Sequence, residues 1–405
     1  MSQTMTAPSL AQEARLVDPS FYADNPFPTY ARMRREAPVY WCAEGNFWAL
    51  SKYDDIRFVG RNSTSFTTRK GNVIAHHAAR RSRHPEGVRH LQLSDKPLHT
   101  DLRRITGAVF SPGNVRGLER AIRRIVTDTL DAIEPGSYVN VVDALSAPVP
   151  IYVIATLLGL PREEWETFRM WSDSLVLQID TSDPEAAARH RANVLDAAAY
   201  FVHHCTARVG REDDELLSLV ANGVAEGKPL SPEEWAAYCQ MLVVAGNETT
   251  RNSISGGTRA FGLHGDQWQL LKQNPDLTGS AVDEVLRWVS PVHAFCRSAA
   301  EEVVIRDQQI KAGDFVVMLY PSANRDEDVW DCPDHFDIAR TSPAAHVAFG
   351  FGPHVCLGSA LARLELVVVF QELARRFPHF ELTGPAKTAP SSLVFMIEEL
   401  PVTFR

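Results

Sequence analysis

The sequence lacks the features that mark secreted or membrane-anchored proteins. Only six cysteines occur in 405 residues, and they lie far apart without the spacing of a disulfide framework, so a reducing, cytoplasmic compartment is expected. No run of about 18 apolar residues is present, which argues against a membrane anchor. The first 20 residues lack the basic and then apolar pattern of a signal peptide, and we expect residues 1–20 to form a disordered tail.

Internal repeats, low-complexity tracts and Gly/Ser linkers are also missing from the sequence. The composition, with 45% hydrophobic and 22% charged residues, is typical of a soluble globular protein that can bury a large core. We therefore expect one domain over residues 21–405. We also expect the protein to be a monomer.

Positive charge is concentrated in one part of an acidic chain. The formal net charge is −9, yet residues 64–124 contain 13 Lys and Arg against four Asp and Glu. Neither aromatic residues between the basic ones nor a nucleic-acid-binding motif accompanies this charge, so nucleic acid is not an expected partner. A solvated surface and a docking face for an acidic protein both stay open for this basic block.

Helical periodicity dominates the pattern of apolar residues. Short strands are predicted near the two ends of the chain, at 39–50 and 302–318. Ser231 followed by Pro232 and two acids is a strong helix start, and we expect the helix it opens to run past Phe261. The predicted fold class is mainly α with small β-sheets (α+β).

A glycine-rich segment, FGFGPHVCLG at residues 349–358, contains Cys356. A helix is predicted directly after this cysteine, over Leu357–Phe377. Glycines let a backbone turn beneath a flat macrocycle, where a Cβ atom would collide with it. Phe349 can shield the sulfur from water, and the amides at a helix N-terminus favour a charged sulfur. The segment is therefore typical of a thiolate ligand for a haem iron.

Cys356 also has two other interpretations. A free cysteine is commonly a small buried apolar residue, which applies to most of the six in this chain. A zinc site formed by His354 and Cys356 would need further ligands, and no CxxC or HxxxH pattern supplies them elsewhere.

A second motif, AGNETT at residues 245–250, falls inside the long predicted helix. Gly246 lowers helix stability by about 1 kcal/mol relative to alanine, and together with Ala245 it leaves room for a small ligand. Thr249 can donate to the Ala245 carbonyl and loosen the helix. An acid beside an alcohol, here Glu248 and Thr249, is suited to proton delivery, although helix packing alone also produces such strings.

Glu284 and Arg287 form a candidate ion pair on one helix face, because residues three apart are neighbours on a helix. Apolar residues flank both, so we expect the helix to be largely buried. A buried pair of charges needs a further polar partner.

Taken together, these motifs resemble the cytochrome P450 haem-thiolate monooxygenases of the soluble, actinobacterial-like bacterial type. The resemblance extends to 95–104, 322–326 and 361–365 and so covers essentially the whole chain. It implies the cytochrome P450 fold, a triangular helical prism with haem b (iron protoporphyrin IX) between the long central helix and the cysteine loop with its helix. One haem per chain and dioxygen as co-substrate are implied with it.

The resemblance also assigns roles. Cys356 would be the axial thiolate ligand, and Glu248 and Thr249 would deliver protons during the activation of dioxygen. Positions that contact the haem or its propionates are His99, Arg103, Arg297, His354, Phe349, Gly350, Gly358, Ala245 and Gly246. Glu284 and Arg287 would form a structural triad with His335, where the family often has arginine, which would make the charge of the triad depend on pH.

Substrate contacts are implied less strongly, and most of them are apolar, which favours a hydrophobic small molecule. These contacts are Phe66, Val73, Ile74, Leu175, Ile179, Val243, Val244, Val292, His293, Ala294, Phe295, Val394, Phe395 and Met396. Residues 245–252 and 290–297 resemble those of family members that act on sterol side chains or terpenoids, which implies a substrate of this class. No flavin or nicotinamide fingerprint occurs, so a ferredoxin and a ferredoxin reductase are expected as electron donors, with Arg103 and Arg104 near the docking face. Alternatives are a haem-thiolate peroxygenase, isomerase or dehydratase, and a non-catalytic haem sensor.

Overall fold

The structure, a computed structural model, describes residues 8–75, 87–176, 183–342 and 344–405. Helices make up most of this part of the chain. In chain order they are α1 Leu10–Glu13, α2 Pro19–Ala23, α3 Phe27–Glu36, α4 Tyr53–Arg61, α5 Leu98–Gly107, α6 Pro112–Gly117, α7 Glu119–Asp131, α8 Pro148–Leu157, α9 Trp165–Val176, α10 Pro184–Thr206, α11 Leu216–Ala221, α12 Pro232–Leu263, α13 Gly265–Gln273, α14 Thr278–Val289, α15 Tyr320–Ala323 and α16 Ser359–Arg376.

The strands form small sheets, as the predicted fold class requires. The strands are β1 Val39–Cys42, β2 Phe47–Leu50, β3 Phe66–Thr67, β4 Tyr138–Asn140, β5 Val224–Ala225, β6 Lys228–Pro229, β7 Ala294–Ala299, β8 Val303–Ile305, β9 Gln308–Ile310, β10 Phe315–Leu319, β11 Phe380–Leu382, β12 Lys387–Thr388, β13 Ile397–Glu399 and β14 Pro401–Phe404. The largest sheet of the described residues has five strands in the order β1-β2-β10-β7-β3, in which β10 runs parallel to β2 and antiparallel to β7. The strands predicted at 39–50 and at 302–318 are confirmed.

The central helix α12 begins where the sequence predicts. The Ser231 hydroxyl accepts from the Glu234 amide, and the Glu234 carboxylate accepts from the Ser231 amide at 2.8 Å, which completes a capping box. The helix continues past Phe261 to Leu263 and packs against α8, α9, α10, α14 and α16. It thereby forms the axis around which the largest hydrophobic core is assembled.

The expectation of a disordered tail over residues 1–20 is wrong for its second half. Helices α1 and α2 begin within it, and Leu16 is fully buried against Phe21 and Tyr22. The Tyr22 hydroxyl donates to the Leu16 carbonyl at 2.8 Å. The stretch is too short for its pattern of polar and apolar residues to predict these helices or the burial of Leu16.

Within the described ranges, no helix combines the length and the apolar character needed to cross a membrane.

Candidate active site

The cysteine loop is held by two glycines in left-handed conformations. Gly350 has φ +72° and Gly352 has φ +80°. A Cβ atom on Gly352 would lie 2.2 Å from the carbonyl oxygen of Gly60, at the end of α4, so this glycine permits close packing of the loop on that helix. The Cys356 amide donates to the Phe349 carbonyl at 2.9 Å, which closes the loop just before α16.

The thiol of Cys356 is subject to opposing influences. Burial is the largest and raises its pKa above the ordinary value, while a hydrogen bond from the Gly358 amide and the nearby Arg103 and Arg363 act in the opposite direction. The helix N-terminus thus favours the charged sulfur as predicted, but burial outweighs it. Although its thiol is surrounded by protein atoms, Cys356 keeps accessible surface.

Phe349, the predicted shield of the sulfur, is half-buried beside α16. The guanidinium of Arg363 lies 4.6 Å from the centre of its ring, and the carboxylate of Asp283 accepts from Arg363 at 2.9 Å. Asp283 on α14 therefore helps to position the Phe349 ring indirectly, through Arg363.

Four predicted cofactor contacts from three segments come together. The imidazole rings of His99 on α5 and His354 in the cysteine loop lie 4.0 Å apart. Burial and the neighbouring Arg103 lower the pKa of His99 to about 4, and burial, Arg297 and His99 lower that of His354 to about 2. These four residues, from three segments that are distant in sequence, thus form one cluster.

The charge of this cluster fits the carboxylates of a haem. Burial lowers the pKa of Arg103 and of Arg297, and both guanidinium groups act on the imidazole of His354. Asp95 acts in the opposite direction and raises the pKa of His99 and of Arg297. Its carboxylate also accepts a hydrogen bond from the Thr68 amide at 3.1 Å. Two guanidinium groups and two imidazole rings in one cluster favour the binding of a dianion.

Helix α5 is fastened directly to the central helix. The Tyr238 hydroxyl on α12 donates to the Leu102 carbonyl at 2.9 Å and lies 2.9 Å from the Thr106 hydroxyl. Since Leu102 lies between His99 and Arg103, these bonds fix the cationic cluster relative to α12. Sequence reasoning missed Tyr238.

The AGNETT motif lies in the middle of α12. The Thr249 hydroxyl donates to the Ala245 carbonyl at 2.9 Å, as predicted, yet the helix continues without a break, so the predicted loosening is wrong. A Cβ on Gly246 would meet only Ile154, at an ordinary 3.6 Å. Ala245 is exposed although Val243 is buried, which is consistent with room for a ligand on that face.

Glu248 is buried and its carboxylate has two partners one turn further along α12. The Asn252 side-chain amide donates to it at 2.9 Å, and Arg251 approaches it to 3.7 Å. Neither partner was predicted, although their i, i+3 and i, i+4 spacing from Glu248 is a signal that could have identified them.

The Glu284 and Arg287 pair is buried as predicted, with a bidentate contact of 2.7 and 2.8 Å. The prediction that the His335 side chain completes the triad is wrong. That side chain is exposed, and His335 takes part only through its carbonyl, which accepts from Arg287 at 3.0 Å. The third charged group is Arg340, whose Nε donates to Glu284 at 3.1 Å, so the charge of the triad does not depend on a histidine.

The predicted substrate contacts belong to segments that the fold brings together. Val292 and Val394 form a β-bridge, and the Cys296 amide donates to the Asn72 carbonyl at 2.8 Å, which places the chain around Val73 beside β7. Buried members of the set are Phe66, Ile74, Val243, Val292, His293, Ala294 and Val394, and half-buried ones are Val73, Val244, Phe295, Phe395 and Met396. Ile179 and the side chain of Leu175 lie outside the described part.

His293 is unusual within this set. Burial lowers its pKa to about 3, and its ring lies 5.0 Å from that of Tyr22 and 6.3 Å from that of Phe395. The imidazole is therefore neutral and packs as an aromatic ring.

Comparison with known proteins agrees with this geometry. The cytochrome P450 family model matches residues 259–404. A steroid C26-monooxygenase of Rhodococcus jostii (strain RHA1) is 33% identical over 98% of this chain and 86% of its own length, and a linalool 8-monooxygenase of Pseudomonas putida is 34% identical over 96% and 98%. The crystal structure of CYP109E1 from Bacillus megaterium in complex with corticosterone has a TM-score of 0.83 at 31% identity, covering 94% of this chain and 98% of that chain.

Sequence identity above 30% along nearly the whole chain, with the same fold, leaves no large part of the protein without a counterpart in these relatives. The chain belongs to the cytochrome P450 family of monooxygenases.

Proposed function

We propose that this protein binds haem b through Cys356 and hydroxylates a hydrophobic small molecule, such as a sterol side chain or a terpenoid. The observation that carries the proposal is the buried cluster of His99, Arg103, Arg297 and His354 beside the cysteine loop. Its positive charge suits the two propionates of a haem, and the adjacent thiol suits the iron.

Within this proposal the chain supplies the ligand, the anchors and the contacts of the haem. Cys356 would hold the iron as a thiolate, although burial raises the pKa of the free thiol. The bound haem supplies the iron centre at which dioxygen is activated. Phe349, Gly350 and Gly358 of the cysteine loop would contact the haem, as would Ala245 and Gly246 of α12.

Proton delivery is assigned to Glu248 and Thr249. The Thr249 hydroxyl donates to the Ala245 carbonyl, so its oxygen lone pairs stay available to accept a hydrogen bond. Glu248 is the acid directly before it in the chain. An acid and an alcohol in sequence can move protons inward without opening the cavity to bulk solvent.

The substrate class rests on the apolar segments around Val292, Phe295 and Val394, and on the relatives. The two curated relatives named above act, by their names, on a steroid and on linalool, which are both hydrophobic. Electrons would come from a ferredoxin and its reductase, for which exposed cations such as Arg104 near α5 offer a complementary surface.

The thiolate assignment is tested by spectroscopy. The haem-loaded protein, reduced and exposed to carbon monoxide, should show the strongly red-shifted Soret band of a thiolate complex, and Cys356→His should lose it. An imidazole-type band in the unchanged protein would contradict the assignment.

The role of Thr249 is tested against a matched residue on the same helix. Thr249→Ala should retain haem and substrate binding but divert electrons to hydrogen peroxide. Thr258→Ala is the control, because Thr258 makes the same back-bond, to Ile254 at 2.9 Å, further along α12. Equal coupling of electron use to product in all three proteins would remove Thr249 from the proposed path.

The substrate class is tested by a panel of linalool, corticosterone and testosterone. Binding near the iron should displace coordinated water and shift the spin state of the haem. Failure of every hydrophobic panel member, together with binding of a charged compound, would contradict the proposed class.

A further inference from the structure

Asn252 lies on α12 one turn after Glu248 and is completely buried. Its side-chain oxygen accepts from the Ile397 amide at 3.0 Å. A backbone N–H can only donate, so this bond fixes which end of the side-chain amide faces which way. The amide nitrogen therefore points at Glu248, where it donates to the carbonyl and to the carboxylate, both at 2.9 Å.

The other end of this connection is next to a proposed substrate segment. Ile397 directly follows Val394, Phe395 and Met396 in the chain. That segment is fixed on its far side by the Phe395 amide, which donates to the Pro291 carbonyl at 2.8 Å. A single buried amide thus bonds both to the strand that continues the substrate segment and to the proposed proton-donating carboxylate.

The local alternatives for Glu248 explain why this connection has consequences. Arg251 approaches the second carboxylate oxygen at 3.7 Å, a longer contact than that of Asn252. Asn252 is therefore the closer of these two contacts to the carboxylate. Charge-assisted bonds of this kind fix the direction of a buried carboxylate.

We propose that Asn252 is a positioning residue that sets the orientation of the Glu248 carboxylate and links it to the segment 394–397. The inference rests on the proposed function, because it takes Glu248 to be the proton donor. Movement of the substrate segment is then transmitted to the carboxylate through one side chain, without a change in the helix.

The test compares two variants that separate the ends of the amide. Asn252→Asp keeps the oxygen that accepts from Ile397 but replaces the amide donor with a second carboxyl group beside Glu248, while Asn252→Leu removes both the acceptor and the donor. Asn140→Asp is the matched control, since the Asn140 oxygen also accepts a backbone amide, that of Leu400 at 2.9 Å, and its nitrogen also donates to a carboxylate, that of Asp143 at 2.7 Å.

The first readout is hydrogen exchange of the intact protein and needs no substrate. The Ile397 amide should exchange faster in Asn252→Leu and at the unchanged rate in Asn252→Asp and Asn140→Asp. Unchanged exchange in Asn252→Leu would overturn the link to the segment 394–397.

The second readout is the ratio of hydrogen peroxide to product, measured with linalool or corticosterone, whichever shifts the spin state. Asn252→Asp should raise this ratio by about tenfold, as expected when a reacting group is misplaced, and change the solvent isotope effect, while the Kd for the compound stays the same. A ratio that stays at the level of Asn140→Asp would overturn the inference.

A parallel Glu248→Gln variant separates this inference from the proposed function. If Glu248→Gln raises the peroxide ratio and Asn252→Asp does not, the positioning role is wrong while the proton donor stands. If Glu248→Gln itself leaves the ratio unchanged, the proposed role of Glu248 fails and the positioning role fails with it.

Discussion

Replacing Arg340 should destabilise the protein far more than replacing His335, although both lie in the loop that closes the buried ion pair. The Glu284 carboxylate is almost inaccessible and has four donors: two from Arg287, the Asp337 amide at 2.9 Å and Arg340 at 3.1 Å. Arg340→Ala removes one charged donor from a buried carboxylate. His335→Ala removes an exposed side chain and leaves the carbonyl that accepts from Arg287 in place.

The magnitude follows from the bonds that are lost. A hydrogen bond between charged groups contributes about 1.5–3 kcal/mol to the free energy of unfolding, and Arg340→Ala loses one such bond. The other Arg340 contacts are to the carbonyls of Asp331, Cys332 and His335 at the surface, which water can replace. We therefore expect a loss of about 2 kcal/mol, which for a chain of this length lowers Tm by about 2–3 °C. His335→Ala should stay within about 0.5 kcal/mol of the parent protein.

The assay is chemical unfolding of the haem-loaded proteins followed by circular dichroism, with haem retention measured by the Soret band on the same samples. Glu284→Gln is the upper reference, since it leaves two buried cations without their carboxylate and should cost about 3–5 kcal/mol. Equal losses in Arg340→Ala and His335→Ala would refute the assignment of Arg340 as the third member of the triad.

Three further predictions concern glycine geometry and pH. In urea unfolding of the haem-free protein, Gly352→Ala should lose far more stability than Gly350→Ala, because the Cβ on Gly352 would lie 2.2 Å from the Gly60 carbonyl oxygen. The Cβ on Gly350 meets no protein atom closer than 3.7 Å, so without haem this variant should cost only the strain of its positive φ, about 1–2 kcal/mol. Equal losses would contradict this. Burial lowers the pKa of His293 to about 3, so the contribution of its neutral form to stability is complete above about pH 6.5. As the pH falls toward 3, this contribution decreases by up to about 1.4 kcal/mol per pH unit. His293→Phe should flatten the pH dependence of the urea midpoint between pH 6 and 4, and an unchanged slope would contradict this. Burial and neighbouring cations lower the pKa of His99 to about 4, so the haem-free protein should lose stability as the pH falls from about 6.5 to 4. Bound propionates should reduce this loss. Identical profiles of stability against pH with and without haem would argue against His99 as an anchor.

Features that depend on neighbours in the chain were predicted well from the sequence. The helix start at Ser231 and the Thr249 back-bond each involve residues a few positions apart, where helix geometry alone decides the contact.

Features that depend on the path of a loop were not predicted. Arg340 reaches Glu284 only because the chain from Asp331 to Arg340 turns back, and nothing in the local pattern distinguishes Arg340 from His335 as the partner. The clustering of His99 with Arg297 and His354 came from the family resemblance, since no periodicity relates positions so far apart. Tyr238 was missed for the same reason, because its partners lie on another helix.

The cysteine loop and the cationic cluster are unfavourable for the chain alone, and this links folding to haem binding. Burial raises the pKa of the Cys356 thiol and lowers that of Arg297, so the protein holds groups whose charged forms lack sufficient compensation. A haem bound as proposed would bring two carboxylates to the cations and a metal ion to the sulfur, and would relieve both penalties at once. A ligand that binds only the native state adds its binding free energy to stability. Because Gly358, Arg103 and Arg363 already favour the thiolate, the loop is prepared for the metal ion, and the free energy of haem binding completes the compensation that burial requires.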